Sequence, residues 1–470
     1  MKNANEYKKR KLNKIVNKMI CSIEREKNIQ TKYKKIYKCA SYIYYYNLEY
    51  NSDRLENSIF EISKSYMNFE YTDNNVFLFF DSFGLSYRGL INQYIDSFIT
   101  NKMKFIYVTY ETNTLNDSIK KKIKENAVDF YLIKNDISSI ERLKDISSHC
   151  SSVIFYIKPS DINALILSYA YKGKKYLINL TDHAFWLGNK SMDYYIEFRE
   201  YGANISYYKR GICKSKLLLQ PYYPIINNVQ FRGYPLKNMN KSNVIFSGGA
   251  LYKTIDKSLM YYEMIEKILN DNPNYYFWYA GSGDSKYLDI LINKFSGRIV
   301  HTNERDDLYE VLKNVKLYIS TYPMIGGLMS QYCAAAGVPC LTLLFDECSS
   351  GVLLKSGFDA FEYTHIEELL LDCNRLLNDE DYYKKRCSND LIITKEIFDL
   401  NLKNILFENK SKFVLSINEE YDTTRFINTY LERDSIISIY KNIFDKNGAF
   451  MKDFWYYFPV VFLKLFKRRH

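Results

Sequence analysis

The sequence predicts an α/β fold class: two Rossmann-like doubly wound domains in tandem, with helical N- and C-terminal extensions. Three observations predict it. Short apolar runs rich in β-branched and aromatic residues alternate with amphipathic stretches. The alternation is interrupted once, by a proline-bearing polar segment, and then restarts. Finally, 470 residues are too many for one ordinary core, so two domains plus extensions are expected.

Residues 1–72 read as a helical, tyrosine-rich, basic leader, with thirteen Lys or Arg against three acids between Met1 and Lys38. Such a run is either a solvated helix face or a surface for an anionic partner. Residues 73–218 form the first doubly wound domain. Its strands are Val76–Phe80, Lys104–Tyr110, Val128–Ile133, Ser152–Ile157, Lys175–Leu180 and Asp193–Phe198. Helix-patterned segments such as "RGLINQYIDSFITNK" and "DINALILSYAYKGK" separate them, which implies βαβ units, a parallel sheet and ligands at the strands' carboxyl ends. Three of the chain's eight prolines then break the rhythm, and residues 219–242 read as a linker. In the second domain, residues 243–415, the strands are Asn243–Gly249, Tyr275–Gly283, Arg298–Thr302, Val315–Thr321 and Val338–Leu344. Residues 416–470 are expected to be C-terminal helices with a basic aromatic tail.

Composition narrows the function classes. The 46 tyrosines, beside abundant Lys, Asn and Ile, reflect coding bias in part, so each aromatic is not a binding platform. Nine cysteines without CxxC or zinc-finger spacing suit free thiols in a reducing cytoplasm, and no metal is expected. The N-terminus carries no apolar signal core. The apolar run Phe454–Leu463 is about half the roughly 20 residues a membrane span needs and contains Pro459. With Lys464, Lys467, Arg468 and Arg469 behind it, that tail is expected to lie on an anionic membrane surface, unless it packs as a terminal core helix. No aromatic-interleaved RNA motif or zinc spacing supports nucleic-acid binding, despite the formal charge of +11.

The second half carries the most chemistry. Gly248 and Gly249 follow its first strand, and Gly281 and Gly283 its second. Gly326 and Gly327 follow a later strand and open a helix running from Leu328 to Ala336. Glycine lets backbone approach a ligand, and a helix N-terminus presents unpaired N–H groups and a positive dipole end, which suits a phosphate or diphosphate. The plain alternative is that each pair merely makes a tight βα turn.

The motifs "FSGGALYK", "YAGSG", "IVHTNERDDLYEVLKNVKLYISTYP" and "GGLMSQYCAAAGVP", spanning about Asn243 to Leu344, resemble the nucleotide-sugar-binding domain of GT-B glycosyltransferases. The resemblance implies two domains facing a cleft. The donor, a UDP-sugar first of all, would be held by Gly248, Gly249, Lys253, Gly281, Gly283, His301, Thr302, Gly326, Gly327, Leu328 and Ser330. It implies transfer of a hexosyl or N-acetylhexosaminyl group to a hydroxyl of a glycan or lipid-linked glycan, with no cofactor beyond the donor and no metal. Many retaining members carry a Glu-x7-Glu pair here. This chain has Met324 and Tyr332 at those positions, so a retaining mechanism does not follow.

In this context "NLTDHAFWLGN" acquires a meaning. It ends a strand of the first half, at the rim facing the cleft if the domains pack as the family's do. An inverting transfer needs a base for the acceptor hydroxyl, and His183 oriented by Asp182 suits that at neutral pH. Phe185 and Trp186 would offer an apolar face to a sugar ring. The alternative is a histidine satisfied within the fold. His149, His301 and His365 fit a base less well. On the acceptor side, "DSFGLSYRG" places Gly84 and Arg88 in a loop after the first strand, where Arg88 would meet a phosphate or carboxylate. Glu197, Arg199 and Arg210 stand near another strand end without an assigned role.

The leading expectation is a cytoplasmic glycosyltransferase, peripheral on the inner face of the membrane. A non-hydrolysing sugar-nucleotide epimerase would share the fold and the diphosphate site. A catalytically inactive partner subunit would explain the missing glutamates, although Lys253 and His183 favour an enzyme.

Overall fold

The computed structural model describes residues 2–68, 71–84, 90–114, 116–226, 229–345, 361–387, 393–417 and 420–432. Two all-parallel sheets organise the chain. The first contains β1 (Phe77–Asp81), β2 (Phe105–Tyr110), β3 (Asp129–Ile133), β4 (Ser152–Tyr156), β5 (Lys174–Ile178), β6 (Tyr194–Glu197) and β7 (Leu217–Leu219). Their order is β3-β2-β1-β4-β5-β6-β7, with Phe77 opposite Phe105 on one side and Ser152 on the other. The second contains β8 (Val244–Gly248), β9 (Tyr276–Ala280), β10 (Ile299–Thr302), β11 (Leu317–Ile319), β12 (Cys340–Leu343) and β13 (Phe361–Tyr363), in the order β10-β9-β8-β11-β12-β13. Helices cover both faces, so central strands such as β1 are buried at every position and read as unbroken apolar runs. In each sheet the order reverses at its first strand, and a crevice opens at that point on the carboxyl edge.

Every strand expected from the pattern is present within three residues of its expected ends, the largest difference being β9, which stops at Ala280 and not Gly283. Two were not expected. Leu217–Leu219 pairs with β6 where the linker was to begin, and Phe361–Tyr363 adds an edge strand beside β12. Both are three-residue strands at a sheet edge, each held by a single neighbour.

The leader forms three helices, Lys2–Arg25, Ile29–Tyr46 and Asp53–Ser63. Leu12, Ile23, Ile36, Ile43 and Ile59 are fully buried in one core with Leu78, Phe80 and Val153 of the first sheet. The leader is therefore integral to the first domain, and its lysines occupy the opposite, solvated face. The domain border expected at 415 also shifts. Helix Lys395–Glu408 packs Phe398, Leu402 and Ile405 among Phe79, Tyr94 and Phe98, and Asn401 Nδ2 donates to the Leu219 carbonyl at 2.8 Å. The chain thus crosses back to the first domain before residue 395. Helix Thr424–Glu432 follows it there, and the tail from Phe454 lies outside the described residues. No described helix is long and apolar enough to cross a membrane.

Candidate active-site cleft between two sheet edges

A cleft of about 440 Å³ lies between the carboxyl edges of the two sheets. Leu90, Leu180, Phe198 and Tyr222 wall it from the first domain; Gly248, Gly249, Lys253, Glu304, Arg305, Gly326, Leu328 and Gln331 wall it from the second.

On the second wall the glycines separate by role. Gly249 has φ +138°, and an added Cβ would meet nothing nearer than Thr321 Cγ2 at 4.0 Å, so its face is open to the cleft. Gly281 has a different reason to be glycine: its Cβ would fall 1.9 Å from the Gly249 carbonyl oxygen. The two βα turns lie backbone against backbone, and Gly281 and Gly283 are not on the cleft wall. His301 and Thr302 are also spent elsewhere, since His301 Nε2 lies 2.9 Å from the Gly281 carbonyl and Thr302 Oγ1 accepts Trp278 Nε1–H at 2.8 Å. These contacts tie the ends of the parallel neighbours β9 and β10 together, and none of the four residues lines the cleft. The helix starting at Gly327 ends in a left-handed cap at Gly337 and brings Leu328 to the cleft and Ser330 into its first turn. Sequence reading did not single out Glu304, Arg305 or Gln331. The amide oxygen of Gln331 is buried on this wall without a hydrogen-bond partner, an exposed cost that a ligand donor would remove.

The first wall is built differently. Asn179, just past β5, donates from Nδ2 to both carboxylate oxygens of Glu197 at 3.0 and 2.9 Å. Asp182 is fully buried and ion-paired with Arg199, Nε to Oδ2 at 2.5 Å, while His183 Nδ1 lies 3.1 Å from Asp182 Oδ1. Burial alone would raise the Asp182 pKa; the Arg199 charge and the His183 hydrogen bond outweigh it and hold the carboxyl below its usual range. An ionised Asp182 only accepts, so neutral His183 carries its proton on Nδ1 and presents the Nε2 lone pair. The His183 side chain is 35% exposed. Leu180, three residues before it, lines the cleft, and His183 itself does not.

The loop after His183 corrects a sequence expectation. Phe185 and Trp186 are 0% and 3% exposed and belong to the core shared with the leader, so neither ring meets an acceptor. The Arg210 guanidinium stacks 4.5 Å over Trp186 and donates to the carbonyls of Asp182 and Ala184 at 2.9 and 2.6 Å. The leader clamps the loop as well: Asn47 Nδ2 donates to the His183 carbonyl at 3.2 Å, its Oδ1 accepts Phe185 N–H at 2.8 Å, and Glu56 accepts the N–H groups of Gly188 and Asn189. Glu197, Arg199 and Arg210, left without roles by the sequence, are this scaffold. Gly202 completes it, since its Cβ would fall 2.5 Å from Glu197 Oε2. Burial pushes Glu197 up to about 7 and Arg210 down to about 10.

Gly84, at φ +88°, turns the loop after β1 and is pinned by its N–H donating to Asp81 Oδ1 at 3.0 Å. Arg88 lies outside the described residues. Among the described residues no group of three metal-ligating side chains forms.

No protein-family model and no curated protein sequence matches the chain. Solved structures do. An O-GlcNAc transferase variant from Thermobaculum terrenum superposes with TM-score 0.53 at 13% identity, over 83% of this chain and 80% of that one. Anabaena HepE, solved with UDP and glucose, gives 0.55 at 12%, over 71% and 100%. A putative UDP-N-acetylglucosamine 2-epimerase from Listeria monocytogenes gives 0.50 at 11%, over 74% and 100%. At such identities the likeness is one of fold. The chain has the two-domain GT-B fold, with a three-helix leader built into its first domain.

Proposed function

We propose that the chain is a glycosyltransferase that moves a hexosyl or N-acetylhexosaminyl group from a nucleoside diphosphate sugar, with UDP as the first choice, to a hydroxyl of a glycan or lipid-linked glycan. The observation that carries this reading is the second cleft wall, where Gly249, Gly326 and Lys253 converge at the N-terminus of helix Gly327–Ala336. Backbone N–H groups at the helix start, the positive dipole end and the Lys253 ammonium suit a diphosphate and would supply the positive charge that a divalent cation supplies elsewhere. Gln331 would accept a hydrogen bond from the donor. HepE bound to UDP supports the choice of base. His183, its Nδ1 proton held by Asp182, would take the acceptor's proton at the rim.

The acceptor side finds support in a second groove, of about 810 Å³, between leader helix Ile29–Tyr46 and the loop after β3. Tyr33, Tyr37, Tyr45, Lys34 and Lys38 line it, and tyrosine faces with lysine heads suit a saccharide carrying acidic groups. A peripheral place on the inner face of the membrane remains part of the proposal and rests on the tail alone: deleting Phe454–His470 should abolish salt-sensitive co-sedimentation with anionic vesicles.

The test is a thermal-shift comparison of UDP, GDP, CMP and their sugars. A ligand at a hundred times its Kd stabilises the folded state by about 2.7 kcal/mol, and UDP compounds should do so selectively. The epimerase reading is favoured by the Listeria likeness. Incubation with UDP-N-acetylglucosamine alone separates the two, because an epimerase yields the 2-epimer whereas a transferase only leaks UDP until an acceptor is added.

A further inference from the structure

Helix Thr424–Glu432 belongs to the first domain by packing. Leu431 lies in that domain's core and its carbonyl accepts Lys8 Nζ at 3.2 Å, while Phe426 and Tyr430 pack edge to face at 5.2 Å. Arg425 points the other way. Its Nη1 donates to the Phe345 carbonyl at 2.8 Å, its Nη2 to the Tyr322 hydroxyl at 3.3 Å, and its guanidinium lies 4.1 Å over the Phe345 ring. These residues follow β12 and β11 of the second domain.

Tyr322 opens the loop that reaches the cleft at Gly326. That loop is tied to the first glycine turn, since Met324 N–H donates to the Lys253 carbonyl at 3.3 Å and Thr321 Oγ1 to the Met324 carbonyl at 2.6 Å. The residue after Arg425 closes the other end: the Phe426 ring meets His183 edge to face, centroids 5.6 Å apart at 85°. Two consecutive side chains of one helix therefore touch, respectively, the root of the diphosphate-facing loop and His183.

We propose that Arg425 and Phe426 are positioning residues that relay occupancy of the second domain's glycine wall to the His183 ring. This rests on the donor-site reading above. A ligand seated on Gly249 and Gly326 draws on the loop that Tyr322 roots. Arg425 donates to the Tyr322 hydroxyl at that root and grips Phe345, whose ring packs against Tyr322, by its carbonyl and its face, so a shift there moves the helix turn and Phe426 with it. His183 is flanked by Asp182 on one side and Phe426 on the other, and its ring turns only as far as Phe426 yields. A donor that favours one seating of the loop thereby favours one seating of the ring, which is coupling through differential contact.

The chain has only five histidines, so 13C-labelled imidazole Cε1 resonances can be followed singly, with His183→Gln assigning the relevant one. UDP is the probe, and its binding is measured in parallel by thermal shift. In the wild type UDP should move the His183 resonance with the same midpoint as the stabilisation. Arg425→Ala should keep UDP binding within a few-fold while the His183 resonance stops responding; His301, in the second domain, should respond in both. Phe426→Ala should displace the His183 resonance without ligand, and Phe426→Leu should restore part of the UDP response. Where Arg425→Ala does not fold, Arg425→Lys removes the stacking on Phe345 and the forked pair of hydrogen bonds and serves in its place. UDP stabilisation without movement at His183, or movement that survives both arginine variants, overturns the relay alone. Absence of UDP stabilisation in the wild type overturns the donor reading and the relay with it.

Discussion

The carboxyl edges of the two sheets face one cleft but are built on opposite plans. On the first edge polar side chains satisfy one another: Asp182 with Arg199, Glu197 with Asn179 and Ser206, Arg210 with two loop carbonyls. On the second edge the wall is glycine backbone together with Lys253, Glu304, Arg305, Leu328 and Gln331, whose amide oxygen is buried without a hydrogen-bond partner. The first plan fixes a single group, His183, by surrounding it with charges too costly to move. The second turns the open face of Gly249 to the cleft and keeps one buried oxygen, Gln331 Oε1, unsatisfied.

The strongest way to break the comparison is at the fixed group. His183→Ala should lower turnover on the order of 100 to 10,000-fold with UDP stabilisation intact. Near-native turnover, measured once an acceptor is found, would reduce the first edge to scaffolding. Next in size is the scaffold. Arg199→Ala leaves Asp182 buried without its cation and should cost about 3–5 kcal/mol in denaturant unfolding of the first domain. A loss within 1 kcal/mol would mean that Asp182 is not held as an anion.

The open edge is tested at Gly326. Its φ is ordinary, and an added Cβ meets only the flexible Met329 side chain, at 3.3 Å, so Gly326→Val should fold. Its branched side chain would stand in the cleft and should remove most of the roughly 2.7 kcal/mol that UDP contributes at a hundred times Kd. An undiminished shift would move the ligand away from this wall. The smallest effect is a pH slope. Burial raises Glu197 from 4.5 to about 7, so the folded state binds the extra proton between those values. Stability from this group is complete below about 4.5 and is lost as pH rises toward 7. Glu197→Gln should therefore flatten the decline in melting temperature from pH 5 to 8; an unchanged slope would show that Arg210 keeps the carboxylate charged.

Much of the fold was legible because alternation of apolar runs is a local signal. β1 through β6 and β8 through β12 each overlap an apolar run of five to nine residues that the pattern marks. β7 and β13 escaped, being three-residue edge strands, each held by a single neighbour. The candidate site was legible only in outline. Gly249 and Gly281 look alike in sequence, yet one faces the cleft and the other faces its twin. Phe185 and Trp186 look like a sugar platform beside a histidine until the leader is folded over them. Asn47, 136 residues from His183, showed no sign of holding its carbonyl.

By itself, the sequence determined two parallel sheets, their restart after the linker, the glycine turns at the strand ends and the placement of Asp182 and His183 beyond β5. These follow from residue types within a turn or a strand, where the chain's own geometry sets every distance. Only the tertiary structure decided that the leader belongs to the first domain, that helix Lys395–Glu408 crosses back to it, and which glycines meet the cleft. Such choices depend on the approach of segments far apart in the chain, where a few tenths of an ångström separate an open wall from a backbone contact. No local pattern encodes distances of that kind.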